Sequence, residues 1–248
     1  IMKRKKISVF VSKMLIIVFS CLIAPKLYSQ TELNIEVLTD SLVIFGRKII
    51  NENQDDDKFN ANNNFKKILV QLLNSDNAID IDFSKVDNLS VMQASDNSFR
   101  LFSWTIPKSD GTFAFEGIVY SRNNKLKRYL IYELNDIKHT SSGIALKTLK
   151  NNEWYGALYY QLIETKGNSK MYTLLGWDGN NSLSTKKVID VLTLQSDGTP
   201  IFGAEIFSGY GKHIKRVIFE HSATTQMTLK YEKQAYIIKK QSLLRTKK

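Results

Sequence analysis

The side chains able to do chemistry are spread thinly along this chain. Its three histidines, His139, His213 and His221, form no H-E-x-x-H arrangement, and the last two fall across a predicted turn and strand. Zinc therefore has no local scaffold, and the histidines read as surface or core residues. No serine elbow, phosphate loop or dinucleotide fingerprint occurs, which removes the hydrolase and nucleotide signatures that a sequence can display. Glycoside chemistry remains open, because its paired carboxyl groups come from different strands and leave no linear trace. Glu116, Glu133, Glu164 and Glu205 are eligible by residue type. Nothing in their spacing selects two of them, so catalytic residues stay unassigned and the enzyme question open. No cofactor or metal site is expected.

The sharpest local feature is the run from Gly176 to Ser182, G-W-D-G-N-N-S. Asp178, Asn180 and Ser182 offer oxygens at alternate positions, as a calcium loop does. Ile189 stands where the loop's closing glutamate belongs, and the glycine is misplaced, so a strand ending in a tight turn is the better reading. The Trp177-Asp178 pair matches the dipeptide of propeller blades but does not recur. Aromatic residues crowd the predicted strands, where they suit a half-buried pleated surface. Core packing is their default role, and a stacking platform for a sugar or another flat ligand is the functional alternative. On that alternative the ligand-contact candidates are Trp104, Trp154, Tyr159, Trp177 and Asp178.

The elements that must position these residues follow from periodicity. Ile35, Leu38, Leu42, Phe45 and Ile49 recur at steps of three and four, one stripe on a helix. Phe65, Ile68, Leu69, Leu72 and Leu73 mark a second helix, after an Asn- and Asp-rich connection at 51–64 whose acids, Asp55 to Asp57, suit a helix start. From Leu89 the chain becomes β-branched and aromatic runs cut by turn dipeptides, with strands expected at 89–95, 98–107, 112–121, 126–134, 154–165, 169–177, 185–195, 214–221 and 225–239. Asp110-Gly111, Asn123-Asn124, Gly167-Asn168, Asp178-Gly179 and Asp197-Gly198 tolerate the positive φ of tight hairpins, which implies an antiparallel meander. Phe102, Trp104 and Ile106 alternate with Leu101, so that strand is apolar on both faces and the helical pair is the available cover. The class is α+β, two N-terminal helices followed by a curved sheet, sandwich or open barrel. A tandem of two β units divided near Lys150 is the alternative.

A net charge of +11 invites a nucleic-acid reading, but its location argues otherwise. Residues 1–29 hold six basic residues and no acid, and residues 239–248 hold five more and no acid, leaving 30–238 neutral. No folded face is left to carry the phosphate contacts, so nucleic acid is not an expected partner. Residues 1–29 read instead as a secretory signal: a KRKK cluster, the apolar run from Met14 to Ile23, and a cut after Ser29. The run is too short to span a bilayer, and Lys127, Lys186 and Lys187 interrupt the strand pattern of an outer-membrane barrel. An integral membrane protein is not expected. A loosely lipobox-like order around Cys21 makes a lipoprotein the minority reading; after a cut at Ser29 no cysteine remains for disulfides or thiolate chemistry.

The stretch from Trp154 to about Tyr231, with W-Y-G-A-L-Y-Y, Y-T-L-L-G-W-D-G-N, K-K-V-I-D-V-L and R-V-I-F-E-H-S, resembles a group of exported proteins of Bacteroidota-type bacteria that carries no assigned activity. The resemblance implies export and a β fold, and brings no functional residues. Members of that group continue past the strand near Tyr231, which implies a truncated or frame-shifted C-terminus here. The expected organisation is a signal peptide at 1–29, a helical pair at 30–76, an antiparallel β domain at 77–238 and a basic tail at 239–248. The expected function is a periplasmic or cell-envelope binding or structural module with an unknown envelope partner or small ligand. The alternative is an envelope hydrolase, for example glycoside-directed, with carboxylates drawn from different strands.

Overall fold

The computed structural model describes residues 34–164, 170–232 and 235–242. The expected signal peptide, the Gly167-Asn168 turn and residues 243–248 lie outside them. Two helices lead the described chain. Helix α1 spans residues 34–51, and its predicted stripe is its buried face: Leu42 and Ile49 are fully buried, with Ile35, Leu38 and Phe45 packed beside them. Helix α2, Asp55–Leu73, starts earlier than expected and takes in most of the Asn-rich segment. The weak helix propensity of asparagine is overridden because Ala61, Asn62 and Phe65 lie on a buried face. Asp55, Asp56 and Asp57 occupy the first turn, where the helix dipole favours them.

Four strands, β1 (Leu89–Gln93), β2 (Phe99–Pro107), β3 (Phe113–Asn123) and β4 (Arg128–Leu134), form an antiparallel meander in chain order. Six more follow: β5 (Leu149–Lys150), β6 (Leu158–Glu164), β7 (Met171–Asp178), β8 (Ser184–Leu194), β9 (Pro200–Phe202) and β10 (Val217–Ser222). They make a second antiparallel sheet ordered β5-β9-β8-β7-β6, with β10 also paired to β8. A hairpin of β11 (Thr225–Glu232) and β12 (Ala235–Ser242) closes the described chain. The class is α+β. Gly111 and Gly198 adopt positive φ in the predicted Asp-Gly turns, and Asn180 does so after Asp178.

Three apolar layers result. Phe102, Trp104, Ile106, Ile118 and Tyr120 face the helices, while Phe99, Leu101, Phe115 and Val119 face the second sheet. There they meet Trp154, Tyr159, Tyr172, Leu174, Val188, Leu192 and Phe202. The sheets therefore stack as a sandwich, and alternation sends each side of the first sheet into a different core. Leu175, Ile189 and Val217 on the outer side of the second sheet are covered by Leu229 of the hairpin. The Tyr160 hydroxyl donates to the Leu229 carbonyl at 2.8 Å, and Gln161 bonds both main-chain groups of Tyr231.

Several strand expectations change in detail. The run 154–165 is a strand only from Leu158, because Gly156 at φ +76° turns the chain and a bulge interrupts pairing between Tyr159 and Gln161. The run 225–239 is two strands, and β12 carries on through Ser242, into the segment read as a tail. Strands β5 and β9 are two and three residues long, too short for a period to show. Between α2 and β1, Ala78–Asp80 is a 3₁₀ turn. The change of sheet falls between Leu134 and Leu149, near the considered division at Lys150, yet both sheets share one core. Among the described residues no helix is long and apolar enough to cross a membrane.

Candidate functional site

Where α2 crosses the open end of β3 and β4, a cleft of about 450 Å³ forms, lined by Lys66, Lys108, Phe113, Phe115, Glu116, Glu133, Asn135, Asp136, His139 and Asn152 among others. Glu116 and Glu133 reach it because their positions lie on the helix-facing side of adjacent strands, Glu133 paired with Ile118. The Lys66 ammonium lies 2.6 Å from Glu116 and 3.6 Å from Glu133. Glu116 also accepts from the Asn62 amide at 3.1 Å, and Asn62 in turn accepts from the Trp104 indole N–H at 2.7 Å. Glu116 is thus a clamp between helix and sheet. Glu133 is the freer acid, its side chain 60% exposed.

The cleft floor is built by the segment after β4. Asp136 pairs in a parallel bridge with Trp154, held by hydrogen bonds from Trp154 N–H to Asn135 and from Ile137 N–H to Trp154, at 2.7 and 2.9 Å. Asp136 then meets Gly156 so closely that a Cβ there would lie 2.2 Å from the carboxyl carbon, so position 156 must be glycine. Behind Asp136 the Lys138 ammonium, 5% exposed, stands 3.3 Å from both Asp136 and Asp178. It donates to the Gly156 carbonyl at 2.8 Å and lies 3.6 Å from the centre of the Phe115 ring. Asp178 also accepts from the Tyr155 hydroxyl at 3.0 Å and from the Asn180 N–H at 2.9 Å. Burial raises the Asp136 pKa despite the neighbouring ammonium, and burial lowers that of Lys138 despite the two carboxylates. Burial and the adjacent Asp178 charge likewise push the Tyr155 phenol up.

Deeper in the sandwich a second ionic group sits apart from the cleft. Arg216 and Asp190 are fully buried 3.2 Å apart, and Asp190 accepts from the Tyr159 hydroxyl at 3.1 Å. The Trp154 indole donates to that same hydroxyl at 3.2 Å. Burial beside Asp190 raises the Tyr159 phenol well above its usual range. Arg216 also donates to the carbonyls of Ile144 and Lys147, which ties the loop before β5 to β10.

The five sequence candidates occupy these networks. Trp104, Trp154, Tyr159 and Asp178 are fully buried with their polar atoms bonded, so they brace the core and offer no face to a ligand. Trp177 is half-buried; its N–H donates to Thr185 at 2.9 Å and its ring packs edge-on to Phe113 and Phe115, the aromatic wall of the cleft. The calcium-like loop is a turn, with Asn180 bonded to Ser184 and Lys186. Of the four eligible glutamates, Glu116 and Glu133 meet. Glu164 instead accepts from the amide and hydroxyl of Ser95, and Glu205 pairs with His213. Sequence reasoning passed over Lys66, Asp136 and Lys138, which carry only the signals of ordinary surface residues.

Comparison with protein-family models, with curated proteins and with solved structures gives no match for this chain.

Proposed function

We propose that the chain is an exported cell-envelope protein whose β sandwich serves as a binding module, with a short glycan held in the cleft beneath α2. The observation that carries this reading is the make-up of that cleft. Half-buried Phe113 offers apolar ring surface to the C–H face of a sugar, while Asn135, Asn152, Glu133 and His139 supply planar polar groups for hydroxyls. Export rests on the order of basic cluster, apolar run and small residue in 1–29, and on the resemblance of the last third to exported proteins. The acids that would do hydrolysis are largely committed, Glu116 to Asn62 and Lys66, Asp136 to Lys138.

One observation favours a glycoside-directed hydrolase as the second reading. Asp136, whose pKa burial raises, shares the cleft with the exposed Glu133, so two carboxyl groups in unlike surroundings line one space, as such chemistry uses. Titrating the protein with soluble cell-wall oligosaccharides, reading tryptophan fluorescence and analysing the sugars afterwards, separates the two. Binding predicts saturable change through Trp177, weakened by Asn152→Ala, with the sugars returned intact. Shortened sugars would establish the hydrolase reading, and no saturable change with any oligosaccharide would refute both.

A further inference from the structure

Arg100 is a buried cation to which no carboxylate is bound. It lies on β2 opposite Gln93 of β1, on the helix-facing side of the first sheet with Phe102 and Trp104, and is 6% exposed. Its Nη1 donates to the carbonyls of Ala78, Ile79 and Ile81 at 3.3, 3.2 and 2.8 Å. The guanidinium carbon stands 5.0 Å from the centre of the Phe83 ring and 5.3 Å from that of Phe102. These contacts hold the group in place and offset part of its desolvation, but they contain no opposite charge. Among the described residues Nε is buried with no partner, Nη2 makes no hydrogen bond, and no acid forms an ion pair with the group.

The guanidinium lines a crevice of about 530 Å³ between β1 and the segment 82–87, and two carboxylates share that space. Asp82 is set in position by the N–H and hydroxyl of Ser84, at 2.8 and 2.9 Å. Asp87 is exposed, and its carboxylate has no partner among the described residues. Half-buried Val91 and exposed Gln93 complete the β1 side. A simple anion would meet Arg100 but face two acids, and a simple cation would meet the acids and leave Arg100 unpaired. A small body carrying both charges satisfies all three groups. We propose that this crevice binds the zwitterion of an aliphatic amino acid or dipeptide, its carboxylate on Arg100 Nη2, its ammonium against Asp82 and Asp87, and its side chain against Val91. The volume has room for either length. The crevice lies at the β1 edge of the first sheet, whereas the glycan cleft lies over β3 and β4, so neither reading depends on the other.

Calorimetric titration of the full chain with leucine, leucyl-leucine and two singly charged relatives tests this site. N-acetyl-leucine keeps the carboxylate alone, and leucinamide the ammonium alone. At least one zwitterion should bind saturably, and the tighter of the two gives the length the crevice takes. Each singly charged relative should bind about tenfold or more weakly, the worth of one charge-assisted bond. Replacing Arg100 endangers the fold, because Nη1 ties down the turn at 78–81. Asp87→Asn, at an exposed position with no bond to lose, should fold as the parent does and weaken zwitterion binding several-fold. No saturable binding of either zwitterion overturns the proposal, as does a singly charged relative that binds as tightly as leucine, or an Asp87→Asn variant that binds like the parent.

Discussion

Replacing Lys138 by methionine tests whether the cleft floor is held by a single buried cation. The substitution keeps the aliphatic stem against Phe115 and Tyr155 and removes the ammonium that lies 3.3 Å from each of two carboxylates. Each of those contacts is worth about 5 kcal/mol at an effective dielectric of about 20, and the desolvation of Lys138 offsets most of that gain. What the variant loses is therefore set by the acids left behind. Breaking a buried pair typically costs about 3–5 kcal/mol. Asp178 keeps its bonds from Asn180 and Tyr155, and Asp136 keeps the main-chain N–H of position 138, so the loss belongs at the lower end, about 3 kcal/mol. Asp136 already has a raised pKa, so its folded form takes up a proton more readily than its unfolded form. The deficit relative to the parent should accordingly be full above the folded pKa of Asp136 and shrink as pH falls through it. Adding Asp178→Asn removes the stranded charge at the core and should recover part of the loss. Urea denaturation followed by tryptophan fluorescence measures all of this. A deficit under about 1 kcal/mol, or a double variant no more stable than the single, would refute the buried-cation account.

Two further outcomes are expected. Gly156→Ala places a methyl into the Asp136 carboxylate at a positive-φ position, costing about 1–3 kcal/mol from the backbone alone and more from the displaced acid; a melting temperature equal to the parent's would contradict this. Partial burial works against the Asp96 charge, yet bonds from Lys170 and Ser98 hold its pKa at about 2, below its unfolded value. Its contribution is fully present above the unfolded carboxylate range near pH 4 and is lost as pH falls through about 2. Asp96→Asn should remove that slice of acid sensitivity and leave stability at neutral pH only slightly lower, because the pair with Lys170 is mostly solvent-screened. Acid titration of both proteins by circular dichroism checks it.

The ionic groups give physical content to the sequence motifs of the last third. Trp154, Tyr155, Gly156 and Tyr159 of W-Y-G-A-L-Y, Asp178 of G-W-D-G-N, Asp190 of K-K-V-I-D-V-L and Arg216 of R-V-I-F all enter buried networks of the sandwich. Each polar atom taken from water there must be met by a partner of fixed position, so these residues constrain one another far more tightly than apolar neighbours do.

What the sequence determined alone is what depends on near neighbours. The stripe of α1, the two-faced alternation of β2 and the Asp-Gly turns were all legible, because helical period, strand period and positive φ are properties of a few consecutive residues. The α+β class followed from them. Only the tertiary structure decided that the strands divide into two stacked sheets, which side of each strand meets helix or sheet, and that Lys138 is buried where its sequence neighbours, Ile137 and His139, suggest a surface turn. The cleft belongs with these, since Lys66, Glu116, Glu133 and Asp136 come from a helix, two strands and a loop. Residues so far apart in the chain leave no periodic mark. They are brought together by the burial of apolar surface elsewhere, and that closure, acting over the whole molecule, settles which charges face water and which must find each other.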